Sequence, residues 1–225
     1  SPQQKVYDLR DDWWALETGF REKPAVQRII YLPNQDETQA AQLLIQNQID
    51  MGPIMQVSTL RTVFAQNPKV ITFTGQEPPY GYLDWCPIDL NLNVERAPYD
   101  DVDIRWAITH AIDRERLVAL AESGAGVPAL HPFTPYGWFA PFEAALQDIF
   151  AKYDYGVSAN LAKTDEIMTG KGWSKNNDGL WVDGSGATFK MNIYVPEWLR
   201  AYGPPLTQQL RDAGCDATFD TSPGL

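Results

Sequence analysis

Two cysteines and two histidines in 225 residues leave little material for thiol or metal chemistry. Cys86 and Cys215 are far apart, and neither stands in a CxxC pair or near a histidine at ligand spacing. No disulfide framework and no zinc site is expected, and both cysteines read as small buried hydrophobes. His110 reads as a packed or partly exposed helix residue. Long apolar runs are also missing: no stretch reaches the roughly 18–20 residues that a membrane-spanning helix needs. Ser1-Pro2-Gln3-Gln4-Lys5 has neither a basic start nor an apolar core, so no signal peptide is read there. Both ends read as cuts in a longer chain, and the missing leader is given no weight on compartment. Positive charge is scarce as well. Eighteen Lys and Arg against 29 Asp and Glu give a net charge of −11. Without a local basic cluster, such a surface repels phosphate backbones and anionic lipid, which excludes a nucleic-acid binder.

What the chain does have is core material: 44% hydrophobic residues, 12% aromatic residues and eight tryptophans. The charged fraction, 21%, is that of a folded protein. The apolar run 26–32, stopped by Pro33, predicts a strand, and residues 36–49 a helix with an acidic first turn. Ile49–Gly52 is expected to close this as a strand–helix–strand unit. A further strand is expected at Val70–Thr74, and an extended segment at Tyr80–Asn93 interrupted by Pro87. One long helix is predicted from Asp100 to about Glu122, with Ile104, Ala107, Ile108, Ala111, Ile112 and Leu117 as its apolar stripe. Helices follow at 142–153 and 158–169, and a short strand at 179–183 before a turn at Gly184-Ser185-Gly186. Phe189–Val195 alternates as a strand, 202–212 is helical, Gly214 caps that helix, and Cys215–Asp220 is a last strand. The order of elements predicts an α/β protein divided near 93–98.

Within this pattern, Ala97-Pro98-Tyr99-Asp100-Asp101-Val102-Asp103-Ile104-Arg105-Trp106-Ala107-Ile108-Thr109-His110-Ala111-Ile112-Asp113-Arg114-Glu115 resembles the "PFDDVRVRQALNYAIDRE" segment of the family 5 extracellular solute-binding proteins of ABC importers. The flanks are similar in the same order: Asp12-Trp13-Trp14, Ala40–Leu44 with Gln48-Ile49-Asp50, Ala162-Lys163 through Gly172-Trp173, Asn177–Trp181, and Leu206–Ala217. The resemblance covers essentially the whole chain. It implies a fold of the periplasmic-binding-protein-like type II class, α/β with mixed sheets flanked by helices, present here as a partial two-lobe structure. Residues 1–93 would be the end of lobe I, and residues 94–225 the first part of lobe II, truncated. It also implies a periplasmic or extracellular location, membrane-associated in a Gram-positive source. The implied role is to capture a small solute, peptide or amino-acid-derived, and deliver it to ABC permease subunits in the membrane. An oligosaccharide is the alternative solute. No cofactor is implied.

Two lobes that close on a solute recognise it with aromatic faces and a few polar groups at their interface. Trp85, with Tyr82 and Asp84, lies in the extended segment before the signature, where the resemblance implies an aromatic contact. The stretch Asp84-Trp85-Cys86-Pro87 departs from the family's "YLGFN" run, and packing in the core is the other reading. Trp198 and Arg200 fall between a strand and a helix, where the resemblance implies an arginine for a peptide carboxylate; a surface arginine on a first turn is the alternative. Trp138 lies in the aromatic loop His131–Trp138, which either stacks on a ligand or is pinned to its own domain.

The rival classes are a glycoside-hydrolase-like enzyme and a non-transport scaffold. No GxSxG elbow, HExxH or phosphate-binding glycine loop is present. The carboxylate pairs Asp11-Asp12 and Asp100-Asp101-Asp103 point to different faces, and a helix N-terminus already accounts for the second. The chain is therefore expected not to be an enzyme.

Overall fold

The computed structural model describes residues 4–33, 35–81, 83–84 and 86–222, which fall into two compact units, Ser1–Val70 and Ile71–Leu225. The first unit opens with an antiparallel ribbon of β1 (Lys5–Asp8) and β2 (Arg28–Tyr31), with α1 (Trp14–Glu17) between them. The strand expected at 26–32 is therefore present, but its partner is β1, because Ile49–Gly52 forms no strand. Instead α2 (Glu37–Ile45) packs on a helix that the sequence reading missed, α3 (Val57–Gln66). The Asp36 carboxylate caps α2 by accepting from the Gln39 N–H at 2.9 Å. Ala40, Ala41, Leu44, Met55 and Val63 form the core of this unit. Asn67 is buried, and its amide donates to the carbonyls of Leu44 at 3.0 Å and Ile45 at 3.2 Å. Those carbonyls lie at the end of α2, where Leu44 C=O also accepts from Asn47 N–H at 3.1 Å, so this side chain helps close the helix and ties α3 to it.

The second unit is built on α4 (Val102–His110), α5 (Arg114–Ala121), α6 (Ala140–Ala145), α7 (Gln147–Lys152) and α8 (Leu161–Gly170). After them come the hairpin β3 (Ser174–Lys175) and β4 (Trp181–Val182), then β5 (Lys190–Pro196), α9 (Gly203–Asp212) and β6 (Asp216–Ser222). Strands β5 and β6 are parallel, with α9 as their crossover, in the register Lys190↔Asp216 to Pro196↔Ser222. Alternation on β5 puts Met191, Ile193 and Val195 into the core beside Ala217, Leu206 and Leu210.

Four expectations fail here, the first being the single helix at 142–153, which is the pair α6 and α7 parted at Leu146. The stretch Val70–Thr74 is no strand: Thr72 and Gly75 close a tight turn, leaving Ile71 and Phe73 exposed. The single helix 100–122 is two helices, broken at Ala111–Asp113. The Gln209 side chain grips the break, its Oε1 accepting from Asp113 N–H at 2.7 Å and its Nε2 donating to Asp113 C=O at 3.1 Å. Asp113 then caps α5 through Arg116 N–H at 2.8 Å. Of the two cysteines, Cys215 is buried but Cys86 is exposed, and both are free. Burial pushes the Cys215 thiol up to about 12, which keeps it protonated and inert.

The signature helix is held at both ends. Asp101 caps α4 through Asp103 N–H at 2.9 Å, and Lys171 Nζ bridges Asp101 at 2.7 Å and Asp103 at 2.8 Å. At the other end His110 is 5% exposed, and burial lowers its pKa from 6.5. The nearby charges of Lys163 and Arg114 add to that lowering, and Asp154 and Glu166 oppose it. A histidine kept neutral by burial takes up its proton first in the unfolded chain. Its contribution to stability is whole above pH 6.5 and is lost as pH falls through the lowered folded value. Urea midpoints measured across this range should fall with pH in the wild-type chain and fall less steeply in His110→Gln; equal slopes would remove His110 as the cause.

Candidate functional site

In parallel α/β sheets, ligands bind beyond the carboxyl ends of the strands. Strand β5 ends at Pro196, and the 3-10 helix Glu197–Tyr202 follows at once. Trp198 and Arg200 ride on this turn, between the strand and the helix α9 as the sequence reading placed them. Two prolines at the start of α9 lack the N–H groups to extend it backward. Trp198 is 77% exposed, and the Arg200 guanidinium meets Glu197 at 2.9 Å with both side chains well exposed. At its far end the turn carries Tyr202, which is half-buried; burial and the nearby Glu122 carboxylate raise the phenol's pKa and hold it protonated.

A second cluster forms around the loop at residues 131–139. Trp138 lies on the 3-10 helix Gly137–Phe139 and is 67% exposed. The buried Thr134 hydroxyl donates to the carbonyl of Asp84, and the Tyr136 hydroxyl donates to that of Leu83 at 3.2 Å. Two of the expected site residues, Asp84 and Trp138, are thereby brought to one neighbourhood, since Thr134 reaches Asp84 across 50 residues of sequence. The Asp84 carboxylate accepts from Cys86 N–H at 2.9 Å, closing a local turn. Tyr82 and Trp85 lie outside the described residues. Among the described residues no hydrogen bond, ion pair or ring contact joins this cluster to the Trp198–Arg200 turn.

Sequence reasoning picked out the aromatic loop but missed Thr134 and Tyr136 as its clamps and Phe139 as its centre. The paired prolines signalled a rigid loop; nothing local signalled the partner at 83–84. An open groove of about 340 Å³ on α4, lined by Val102, Arg105, Trp106, Thr109 and Tyr155, contains none of these residues. Among the described residues no group of three or more His, Cys, Asp or Glu side chains is placed to hold a metal ion. No helix among them is long and apolar enough to cross a membrane.

The dipeptide-binding protein of Escherichia coli is 24% identical over 183 residues, covering 80% of this chain and 30% of the relative. The fold matches the crystal structure of a periplasmic oligopeptide-binding protein of an ABC transporter from Thermotoga maritima, with a TM-score of 0.72 and 19% identity. That match covers 99% of this chain and 40% of the other. A mannohexaose-bound structure of the same Thermotoga protein matches with a TM-score of 0.62 and 21% identity, covering 97% and 40%. The chain thus spans well under half the length of these relatives, and its fold is of the periplasmic-binding-protein-like type II class. The model of the bacterial extracellular solute-binding proteins, family 5 (middle), matches residues 1–224, and the chain belongs to that family.

Proposed function

We propose that this chain is part of the ligand-capturing component of an ABC importer, which binds a small solute reversibly and passes it to permease subunits in the membrane. The observation that carries this reading is the family match over residues 1–224. In it the protein is a binding component rather than an enzyme, and it works in the periplasm or outside the cell, membrane-associated in a Gram-positive source. Residues 1–93 close lobe I and residues 94–225 open lobe II.

A peptide or amino-acid-derived solute is the first reading, supported by the dipeptide-binding and oligopeptide-binding relatives. Arg200 then exchanges its exposed Glu197 partner for the solute's carboxylate, a planar bidentate match. Asp84, Trp138 and Trp198 supply the remaining contacts with Tyr82 and Trp85. An oligosaccharide is the second reading, supported by the mannohexaose-bound relative and by the open indole faces of Trp138 and Trp198.

Thermal-shift measurements on the protein at its full encoded length, against di- and oligopeptides and small oligosaccharides, test both. A solute at a hundred times its Kd adds roughly 2.7 kcal/mol of stability. A shift abolished by Trp85→Ala or Arg200→Ala supports the role and the site. A shift that survives both substitutions keeps the role and removes the site, and no shift with any class sinks the importer reading.

A further inference from the structure

The loop at 131–139 stacks its rings in sequence. Phe133 lies against Phe139 with centroids 5.7 Å apart and planes 11° apart, Phe139 against Trp138 at 4.0 Å and 25°, and Trp138 against Tyr136 at 5.9 Å and 14°. Four nearly parallel rings thus form one stack. Phe133 at one end is 57% exposed, and Trp138 within the stack is 67% exposed. A stack in which two of the four rings, Phe133 and Trp138, are more than half open leaves aromatic faces without partners, while Tyr136 and Phe139 are partly buried.

The stack is held before any ligand arrives. His131 Nδ1 accepts from Phe133 N–H at 3.2 Å, so its Nε2 carries the hydrogen and donates to Glu143 at 2.9 Å. Thr134 C=O accepts from Tyr136 N–H at 2.7 Å. The Thr134 and Tyr136 hydroxyls then moor the loop to the carbonyls of residues 83 and 84. Rings fixed this way lose little conformational freedom when a partner stacks on them. Charge selects further: the Glu143 carboxylate bonds His131 beside the stack, and the exposed Asp84 lies where the loop is moored, in a chain of net charge −11. An anionic ring is repelled, whereas a neutral or cationic one is not.

Resting on the importer reading, we propose that this stack is a subsite for a planar apolar ring, neutral or cationic, carried by the solute, and that Thr134 and Tyr136 are its positioning residues. The aromatic side chain of a peptide fits that description.

Saturation-transfer NMR on the 225-residue chain, with Phe-Phe-amide and Ala-Ala-amide as probes, tests it. The ring protons should receive roughly fivefold more saturation than the alanine methyls. The excess should vanish in Trp138→Leu and persist in Trp138→Tyr, with unfolding midpoints unchanged because the residue is exposed. Equal saturation of the two probes, an excess undiminished in Trp138→Leu, or no saturation of either overturns the subsite. A thermal shift with alanine peptides or oligosaccharides, without ring preference, removes the subsite and leaves the importer reading. Ring saturation without any thermal shift at full length removes the importer reading and leaves a ring-binding stack.

Discussion

Replacing Phe189 by alanine is expected to cost the second unit about 3–5 kcal/mol, enough to remove much of the stability of an ordinary domain. The ring is 2% exposed. It sits edge-on to Trp173 at 5.1 Å and to Tyr99 at 6.0 Å, so truncation leaves two other aromatic rings facing a hole. The backbone at this position cannot move in to fill it. Phe189 N–H donates to Trp181 C=O at 2.8 Å, and Phe189 C=O accepts from Asp216 N–H at 2.9 Å. The residue therefore joins the hairpin strand β4 to the start of β6, and the cavity opens at a junction that is hydrogen-bonded on both sides. Urea unfolding followed by far-UV circular dichroism reads the loss. Phe189→Leu, which keeps most of the volume, should lose much less. A cost below about 1 kcal/mol for the alanine variant would mean that the core closes over the site and that the ring is not its centre.

Gly214→Ala should cost at least about 2 kcal/mol, through the backbone as well as through packing. Gly214 has φ +97°, a conformation that residues with a Cβ rarely adopt. It ends α9 in a paired hydrogen-bond closure: Cys215 N–H donates to Leu210 C=O at 2.9 Å and Gly214 N–H to Arg211 C=O at 2.9 Å. A Cβ there would also stand 2.9 Å from Gly179 O and from the Trp181 ring. Neither neighbour can retreat easily. Trp181 Nε1 donates to Ala213 C=O at 2.7 Å, and Trp181 N–H donates to Gly214 C=O at 2.8 Å. The same denaturation measurement checks this variant. Gly172→Ala is its control, since Gly172 has φ +85° but nothing within 4 Å of its Cβ position. If the two variants lose equal stability, strain alone explains Gly214 and the packing argument fails.

The elements read correctly are those whose cause is local. Asp36 before α2, the stripe Ile104–Ala107–Ile108–Ala111–Ile112, the alternation of β5 and Gly214 after α9 all act within a few residues of themselves. The family signature was legible for the same reason, since it is a continuous run on and around α4. Tertiary contacts decided the rest. The apolar stripe continues through Ala111 and Ile112 and hides the break; Asp113 caps α5 locally, and Gln209 grips the same residue from 96 residues away. The run at 70–74 has the residues of a strand, but Thr72 bridges to Gly75 three residues on, so it turns. Of the candidate site, the residue types were readable, because exposed aromatics and an arginine have a recognisable chemistry. Their grouping was not. Asp84 and Trp138 share a neighbourhood only because the hydroxyls of Thr134 and Tyr136 reach backbone carbonyls 50 and 53 residues away. The sequence by itself determined the local elements, their order and the family. Which segments lie side by side depended on side chains meeting carbonyls across long stretches of chain, and only the folded structure supplies that.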